Sequence, residues 1–375
     1  MKKLLSVLLA FFMVFALVGC SNNEDDNNGG TTGTEDGYKV AVVTDVGQLN
    51  DGGFNQGTYE GAVAFAEKNG LSYKYYQPAN GSDATDDDRI AAMRQAVEGG
   101  AEIVVTPGFL QAAALETVAK ENPEVKFVFV DGWNLGLANV TAISYHEEES
   151  GFFAGYAAVM DGYTKLGGTF GGAGTNAACN RFAYGYVQGM QAAAAELGTN
   201  VEATISFLYG GSFSASTELQ TQISGWYTNG TQVVFACGGS MLQSVKAAAA
   251  ETENGKIIGV DTDQSGESDR VITSAFKNLS GSVDLTLTKW FEGKWDGELA
   301  DKLSNLGVGD EATGLPTAEG SWRFNSFTVD QYHEVFAKVA DGSIKIDSDC
   351  ADLSTAAAWD GLKANCPNVT LTLEY

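Results

Sequence analysis

Histidine and basic side chains are scarce in this 375-residue chain. The two histidines, His146 and His333, lie in separate regions, and neither belongs to a pair with metal-ligand spacing. The sequence has no GxSxG nucleophile elbow, no Walker A loop and no HExxH motif. With 22 Lys and Arg against 48 Asp and Glu, the formal net charge is −26. This charge argues against nucleic acid or an anionic membrane surface as a partner, because both require a basic face.

The first twenty residues have the order of an export signal. A basic start, Met1-Lys2-Lys3, precedes an apolar run from Leu4 to Val18 that ends in Gly19-Cys20. The run is shorter than the ~20 residues that span a membrane, and its basic–apolar–small order is that of a signal peptide. Its end resembles the lipobox of bacterial lipoproteins, whose cysteine thiol forms a thioether to diacylglycerol. We therefore expect residues 1–19 to be a signal peptide and lipid on Cys20 to anchor the chain at the extracytoplasmic face of the cell membrane.

Cysteine is also rare, with five in the chain, and no two form a CxxC pair. A zinc ribbon or a thioredoxin-like motif is therefore unsupported. Cys237 ends an apolar run and is predicted to be a buried small hydrophobe, whereas Cys179 has no evident partner. Cys350 and Cys366 flank a short Ala-rich stretch, and the sequence leaves open a disulfide between them in an exported chain.

The remaining length suits two domains of ordinary size behind a short tether. Residues 20–37 hold no apolar residue that could build a core after Cys20, and we expect a lipidated, flexible stalk. Beyond it, short apolar strands such as Lys126–Val130 alternate with helices such as Glu147–Met160, and a strand is predicted at Trp322–Phe327. Two such series predict an α/β protein with two lobes, each built on a parallel sheet covered on both faces.

Carboxylates follow three of the predicted strands. Asp45, Asp131 and Asp261 each come directly after an apolar run. Ligands of open α/β sheets bind beyond the carboxyl ends of the strands, so the three acids together favour a polar ligand with donor groups. The alternative for each aspartate is a cap on the helix that follows.

Several longer motifs occur in a fixed order along the chain. They are Val40–Gly47 with Asn50-Asp51 and Phe54-Asn55-Gln56, then Gly151–Gly155, Arg181–Gly185, Ile258–Gln264 and Thr273–Asn278. The series resembles the basic membrane protein family, lipoproteins of the purine nucleoside receptor type that serve ABC transporters, over residues 38 to 347. The resemblance implies a type I periplasmic-binding-protein (Venus flytrap) fold with two Rossmann-like lobes. Lobe one would hold 38–142 plus 265–295, and lobe two would hold 143–264 plus 296–375.

The resemblance also implies a ligand site between the lobes. Phe54 and Phe213 match the two aromatics that sandwich the purine, which has two π-faces on which rings can stack. Asp45, Asn55 and Asp131 would bond the edges of the base. Asp261 would accept from both ribose hydroxyls, because one carboxylate offers two acceptors to a vicinal diol. The side chain of Lys277 and the backbone at Gly239 would complete the ribose end.

The resemblance has departures that leave the ligand open. The family's Gly-Gly-x-Gly-Lys-Gly pattern is replaced here by Gly238–Gln243, and Trp133 adds a bulky ring beside the expected pocket. A purine nucleoside is the preferred ligand, with another nucleoside or a sugar as the alternative. The implied partners are this small molecule and the permease subunits of an ABC importer, with no cofactor and no metal.

Three other functions compete with this one. Paired carboxylates could in principle hydrolyse a nucleoside, although acids that serve a hydroxyl-rich ligand need no catalysis to explain them. The spacing from Asp261 to Asp269 mimics the first nine positions of a calcium loop, but the twelfth position is Ile272 in place of the bidentate Glu. A purely structural or adhesive surface lipoprotein is the third possibility.

Overall fold

A computed structural model describes residues 38–46 and 48–375 of the chain. The predicted signal peptide, the lipidation site Cys20 and the stalk lie outside these residues. A search of the described helices for one with the length and apolarity of a membrane span finds none.

The described chain alternates strands and helices along most of its length. The strands are β1 (Val40–Val43), β2 (Tyr73–Tyr76), β3 (Ile103–Pro107), β4 (Lys126–Val130), β5 (Val140–Tyr145), β6 (Lys165–Phe170), β7 (Val201–Ser206), β8 (Val233–Cys237), β9 (Lys256–Asp261), β10 (Val271–Lys277), β11 (Lys302–Leu306), β12 (Thr313–Gly314) and β13 (Val369–Glu374). The longer helices are α1 (Phe54–Asn69), α2 (Asp86–Glu98), α3 (Ala112–Glu121), α4 (Glu147–Met160), α5 (Ala177–Leu197), α6 (Thr217–Thr228), α7 (Met241–Ala250), α8 (Leu279–Phe291), α9 (Val329–Ala340) and α10 (Asp360–Asn365).

Two sheets organise these elements into two lobes. The sheet of lobe one has the order β11-β5-β4-β3-β1-β2, and all its neighbours are parallel. The sheet of lobe two has the order β12-β10-β9-β8-β6-β7-β13, in which only the short β12 runs antiparallel. Each sheet has an apolar core on both faces, as parallel sheets require. In lobe one, α1 and α8 cover one face while α2 and α3 cover the other.

Within the described residues, the chain passes between the lobes at three places: from β5 to α4, from β10 to α8 and from β11 to β12. Backbone hydrogen bonds tie these passages together. The amide of His146 donates to Leu306 O, and the amide of Asn278 donates to Ala312 O, both at 2.9 Å. The passages therefore form one narrow connection between two larger bodies, which is the arrangement of a hinge.

The expected lobe bounds do not coincide with the sheets. Strand β10 was placed in lobe one, but it lies beside β9 in lobe two. Strand β11 was placed in lobe two, but it pairs with β5 in lobe one. The predicted bounds after residues 142, 264 and 295 come too early, because the passages follow Tyr145, Lys277 and Leu306, each at a strand's carboxyl end.

The strand predicted at Trp322–Phe327 is also wrong. This segment has no regular secondary structure, because it folds back on itself. The indole N–H of Trp322 donates to Phe327 O at 2.8 Å, and the ring of Phe324 packs edge-on against Trp322 with 4.9 Å between centroids. The aromatic residues that suggested a strand instead form a local cluster on lobe two.

Candidate ligand-binding site

A cavity of about 220 Å³ lies between the lobes, at the carboxyl ends of the strands. Lobe one and lobe two each contribute four of the residues predicted from the sequence. Those from lobe one are Asp45, Phe54, Asn55 and Asp131, and those from lobe two are Phe213, Gly239, Asp261 and Lys277. The structure thus brings all eight residues to one cavity, as the strand-end rule for α/β sheets requires.

The centre of the polar wall is the ammonium group of Lys277. Its Nζ lies 2.7 and 2.9 Å from the two carboxylate oxygens of Asp131 and 3.5 Å from Asp261 Oδ1. Only 1% of the lysine side chain is exposed. Because Asp131 follows β4 in lobe one and Lys277 ends β10 in lobe two, this ion pair joins the two lobes directly.

Burial sets the charge behaviour of this cluster. Desolvation raises the pKa of Asp131 and of Asp261 to about 6, although Lys277 partly opposes the shift in both. For Lys277, burial favours the neutral amine, but the surrounding carboxylates outweigh it and raise the pKa above its ordinary value. The lysine is therefore charged at neutral pH, and the two aspartates change charge near pH 6.

Three of the predicted residues have left-handed backbone conformations. The φ angles are 56° at Asp131, 56° at Phe213 and 66° at Asp261. Such conformations are uncommon outside glycine, least so for aspartate, and cost about 1–3 kcal/mol each. Strained backbone that clusters in one cavity is typical of a functional site, because the surrounding fold must hold it there.

Aromatic rings line the cavity from both lobes. Phe54 begins α1, and Phe213 lies in the loop between β7 and α6, where its ring meets Phe109 edge-on at 6.3 Å between centroids. The Lys277 ammonium lies 4.9 Å from the centroid of Phe54, within cation–π range. Phe109 and Phe182 also line the cavity and were missed by the sequence analysis. Phe109 could have been found, because it directly follows Gly108 at the end of a predicted strand.

Two polar residues at the start of α1 differ in function. The carboxylate of Asp51 accepts from the backbone amides of Gly53, Asn55 and Gln56, so it caps the helix. The amide oxygen of Asn55 is buried and has no hydrogen-bond partner among the described residues. A buried acceptor without a partner costs free energy, and Asn55 is one of the residues that line the cavity.

Gly239 supports the neighbouring loop. Its φ is 46°, and a Cβ built there would lie 2.6 Å from Phe213 O. The next amide, of Ser240, donates to the same oxygen at 3.0 Å. Only glycine permits this close approach, so the residue fixes the Phe213 loop in addition to lining the cavity.

The lobes also meet at the rim of the cavity. Thr262 Oγ1 and Gln264 Nε2, which follow β9 in lobe two, donate to Gly52 O in lobe one at 2.8 and 2.9 Å. Together with the Lys277–Asp131 pair, these bonds hold the two lobes in contact on the ligand side.

The structure also places the cysteines and the tryptophan that the sequence analysis discussed. The Cys350–Cys366 disulfide that was left open is not formed, and both thiols are buried. Cys237 is buried as predicted, and Cys179 lies with it in the cavity wall. Trp133 is 47% exposed and packs against Phe129 at 5.3 Å, so its ring faces the surface.

The calcium-like spacing does not act as one loop. Asp261 faces Lys277 in the cavity, at 3.5 Å from Oδ1 to Nζ. Asp263 instead accepts from Ser265 N at 3.0 Å and from the hydroxyl of Ser321. The first two acids of the pattern are therefore occupied by separate protein partners.

The two parallel sheets and the cavity between the lobes define the class of the fold, which is the type I periplasmic-binding-protein fold. A solute-binding protein of an ABC transporter from Aeropyrum pernix K1 superposes with a TM-score of 0.71 at 22% identity, over 88% of this chain and 97% of that one. A similar protein from Conexibacter woesei gives 0.61 at 21% identity, over 83% and 99%. At this level of identity the likeness shows the fold.

Residues 38–338 match the Bmp family, described as PnrA-like ABC transporter substrate-binding proteins, and the chain belongs to that family. It is 29% identical over 331 residues to the ABC transporter nucleoside-binding protein BmpA of Lactococcus lactis, covering 82% of this chain and 90% of that protein. It is 26% identical over 363 residues to a CD4+ T-cell-stimulating antigen of Listeria innocua, covering 91% and 96%. The predicted family and fold class are confirmed. Membership implies an extracytoplasmic binding protein with a small-molecule ligand and ABC permease partners.

Proposed function

We propose that this protein captures purine nucleosides between its two lobes and delivers them to an ABC importer. The observation that carries the proposal is the cavity itself, in which aromatic rings from both lobes face the same space as buried aspartates. Phe54 and Phe213 stack on the two faces of the base, and Asn55 Oδ1 accepts from an N–H group at its edge. Asp45 and Asp131 bind further donors of the base.

The ribose lies at the Lys277 end of the cavity. Asp261 accepts from the two vicinal hydroxyls, and Lys277 holds the carboxylates of Asp131 and Asp261 in place. Closure of the lobes removes water from these bonds and so strengthens them. No covalent step is required, and the permease recognises the closed, nucleoside-bound form of the protein.

A thermal-shift screen on residues 38–375 tests the ligand class. Nucleosides, free bases and sugars are compared at equal concentration, since a ligand at 100 times its Kd adds about 2.7 kcal/mol to the free energy of unfolding. We expect purine nucleosides to raise Tm most. If sugars raise Tm and nucleosides do not, the nucleoside proposal is wrong and the ligand is a sugar.

We also propose that the chain is held at the membrane by lipid on Cys20. The resemblance of the first twenty residues to a lipoprotein signal supports this anchor, as does membership of an extracytoplasmic family. Expression of the full chain in a bacterial host with radiolabelled palmitate should label the wild type and leave Cys20→Ala unlabelled. Equal labelling of both would contradict the anchor.

A further inference from the structure

An ion pair between a fully buried glutamate and a partly buried arginine lies directly behind the cavity wall. Arg181 Nε is 2.5 Å from Glu147 Oε2, and the side chain of Glu147 is fully buried. The other carboxylate oxygen, Glu147 Oε1, lies 3.4 Å from Lys277 Nζ. Neither Glu147 nor Arg181 is among the described residues that line the cavity. The Glu147 carboxylate therefore bridges two cations, one in the ligand cavity and one behind it.

The two helices that carry this pair approach each other unusually closely. Glu147 begins α4 and Arg181 lies in the second turn of α5. A Cβ at Gly151 would lie 2.2 Å from Phe182 O, and one at Gly185 would lie 2.0 Å from Glu148 O. Backbone contact between the helices thus fixes Glu147 beside Arg181, and the carboxylate has little freedom to follow a moving lysine.

We propose that Glu147 and Arg181 are positioning residues for nucleoside capture, whose ion pair holds the Lys277 ammonium at the seam between the lobes and sets the charge of Asp131 and Asp261. The inference rests on the proposed function and deepens it. Lys277 faces carboxylates from both lobes, so an ammonium held from behind by Glu147 stays in reach of Asp131 when the lobes meet.

The charges around the cluster determine the direction in which each substitution shifts the pKa values of the aspartates. Asp131 and Asp261 face Lys277, Glu147 and each other, and Asp51 also faces Asp261. Arg181 faces Glu147 and, at 3.8 Å, Glu148, whose other oxygen contacts His146. The Tyr145 hydroxyl bonds Ser282 and is neutral at physiological pH because burial raises its pKa.

Removing the Glu147 charge therefore lets Asp131 and Asp261 ionise at lower pH. Removing the Arg181 charge has the opposite effect on Asp131, whose carboxylate interacts with the Arg181 charge. These opposed directions separate a charge-setting role from a purely structural one, since both substitutions break the same ion pair.

The experiment measures the Kd for inosine by calorimetry from pH 4.5 to 8. Binding requires ionised aspartates, so affinity falls toward acid with a midpoint near the pKa of about 6 that both aspartates share. We expect Glu147→Gln to lower the midpoint by about one pH unit and Arg181→Gln to raise it by a similar amount. Arg181→Lys keeps the charge and should restore the wild-type midpoint. Shifts in the same direction for Glu147→Gln and Arg181→Gln would overturn the proposal.

A direct titration of the aspartates separates the positioning role from the proposed function. Carbon-13 NMR of aspartate carboxyls in the ligand-free protein, assigned with Asp131→Asn and Asp261→Asn, should show the same opposed shifts. If inosine fails to bind the wild type while these titrations move apart, the proposed nucleoside function fails, but the Glu147–Arg181 pair still sets the charge of the cavity aspartates. If the titrations do not move apart, the positioning role fails whatever inosine does.

Matched controls come from an exposed ion pair in lobe one. Arg94 and Glu121 are 2.6 Å apart at the surface, and Arg94→Gln and Glu121→Gln should leave the midpoint unchanged. Should Glu147→Gln not fold, the double variant Glu147→Gln/Arg181→Met removes both charges of the pair at once, which proteins often tolerate. Its midpoint should lie near that of the wild type, and a large shift in either direction would contradict charge setting.

Discussion

At the scale of single residues, the ring of Phe213 offers the simplest test of the stacking arrangement. We expect Phe213→Ala to weaken inosine binding by about 1–3 kcal/mol, the usual worth of a base–aromatic stack. Alanine keeps the Cβ at a φ of 56°, so the change removes the ring without relaxing the backbone. Calorimetry measures the loss, and Phe291→Ala, at a remote ring that is 51% exposed, is the control. Equal affinities for the two variants would contradict the stack.

The carboxylate of Asp261 is expected to recognise the sugar rather than the base. Asp261→Asn keeps the side-chain shape and tolerates the left-handed backbone. It replaces one of the two carboxylate oxygens that accept from the hydroxyls with an NH2 donor, and it removes the negative charge. A charged hydrogen bond contributes about 1.5–3 kcal/mol, so inosine should lose roughly 10- to 150-fold in affinity. The free base hypoxanthine should lose little.

The comparison variant for that experiment is Asp45→Asn, which lines the same cavity from lobe one. Because Asp45 is proposed to bind the base, its substitution should weaken inosine and hypoxanthine alike. Losses at Asp261→Asn that are equal for the nucleoside and the base would refute the ribose role.

The raised pKa values of Asp131 and Asp261 predict opposite pH trends for stability and for binding. Between the ordinary pKa of 3.8 and the folded value of about 6, the folded state retains protons that the unfolded chain has lost. These two groups therefore lower the free energy of unfolding as pH rises through that window. Inosine affinity should rise over the same window, because the carboxylates become acceptors.

Urea unfolding of the ligand-free protein from pH 4 to 7 checks the stability trend. The quantity to compare is the difference between wild type and Asp131→Asn or Asp261→Asn, since other carboxyl groups contribute trends of their own. Each variant should become more stable relative to the wild type as pH rises. A difference that does not change with pH would contradict the raised pKa values.

At the scale of elements, the α4–α5 contact depends on glycine. A Cβ at Gly155 would lie 2.1 Å from Tyr186 O, a backbone atom that cannot move aside cheaply. We expect Gly155→Ala to destabilise the protein by about 1–3 kcal/mol, as overpacking does. The matched control is Gly225→Ala in α6, where a Cβ meets nothing within 4 Å. That change should stabilise by about 0.5–1 kcal/mol in urea unfolding, and a similar effect of both substitutions would contradict the close packing.

The sequence predicted buried elements well and exposed ones poorly. Lys126–Val130 and Glu147–Met160 have the expected bounds because their apolar residues have a clear spacing. Strand β11 was missed since its residues, KLSNL, are mostly exposed at a sheet edge and carry no such pattern. Glu147 and Arg181 were not singled out as site residues for a related reason. Their importance comes from the meeting of two helices, which local sequence does not encode.

At the scale of the whole molecule, the sequence predicted two lobes but not how the chain is divided between them. Strand β10 is apolar and could have joined either sheet by its composition alone. Its membership of lobe two is decided by pairing with β9, and this pairing also delivers Lys277 to the seam between the lobes. The ion pair between Lys277 and Asp131, which joins the lobes, thus depends on the topology of the sheets. It can be identified only once the strands of both sheets are known.

The charge of the whole protein and of its cavity leads to a prediction about ligand charge. The charged side chains that line the cavity, among the residues described, are Asp45, Asp51, Asp131, Asp261 and Lys277, in a chain whose net charge is −26. A phosphate group would therefore meet an excess of negative charge in a space from which closure excludes water. We expect inosine monophosphate to bind roughly 100-fold or more weakly than inosine, because like-charge contacts cost several kcal/mol.

Calorimetry with a neutral ligand of similar size separates charge from shape. Inosine carrying a 5′-acetate ester extends from the same ribose carbon without a charge, and it should bind much more tightly than the monophosphate. If the ester and the monophosphate are rejected equally, the limit is the space beside the ribose and not the acidity of the wall.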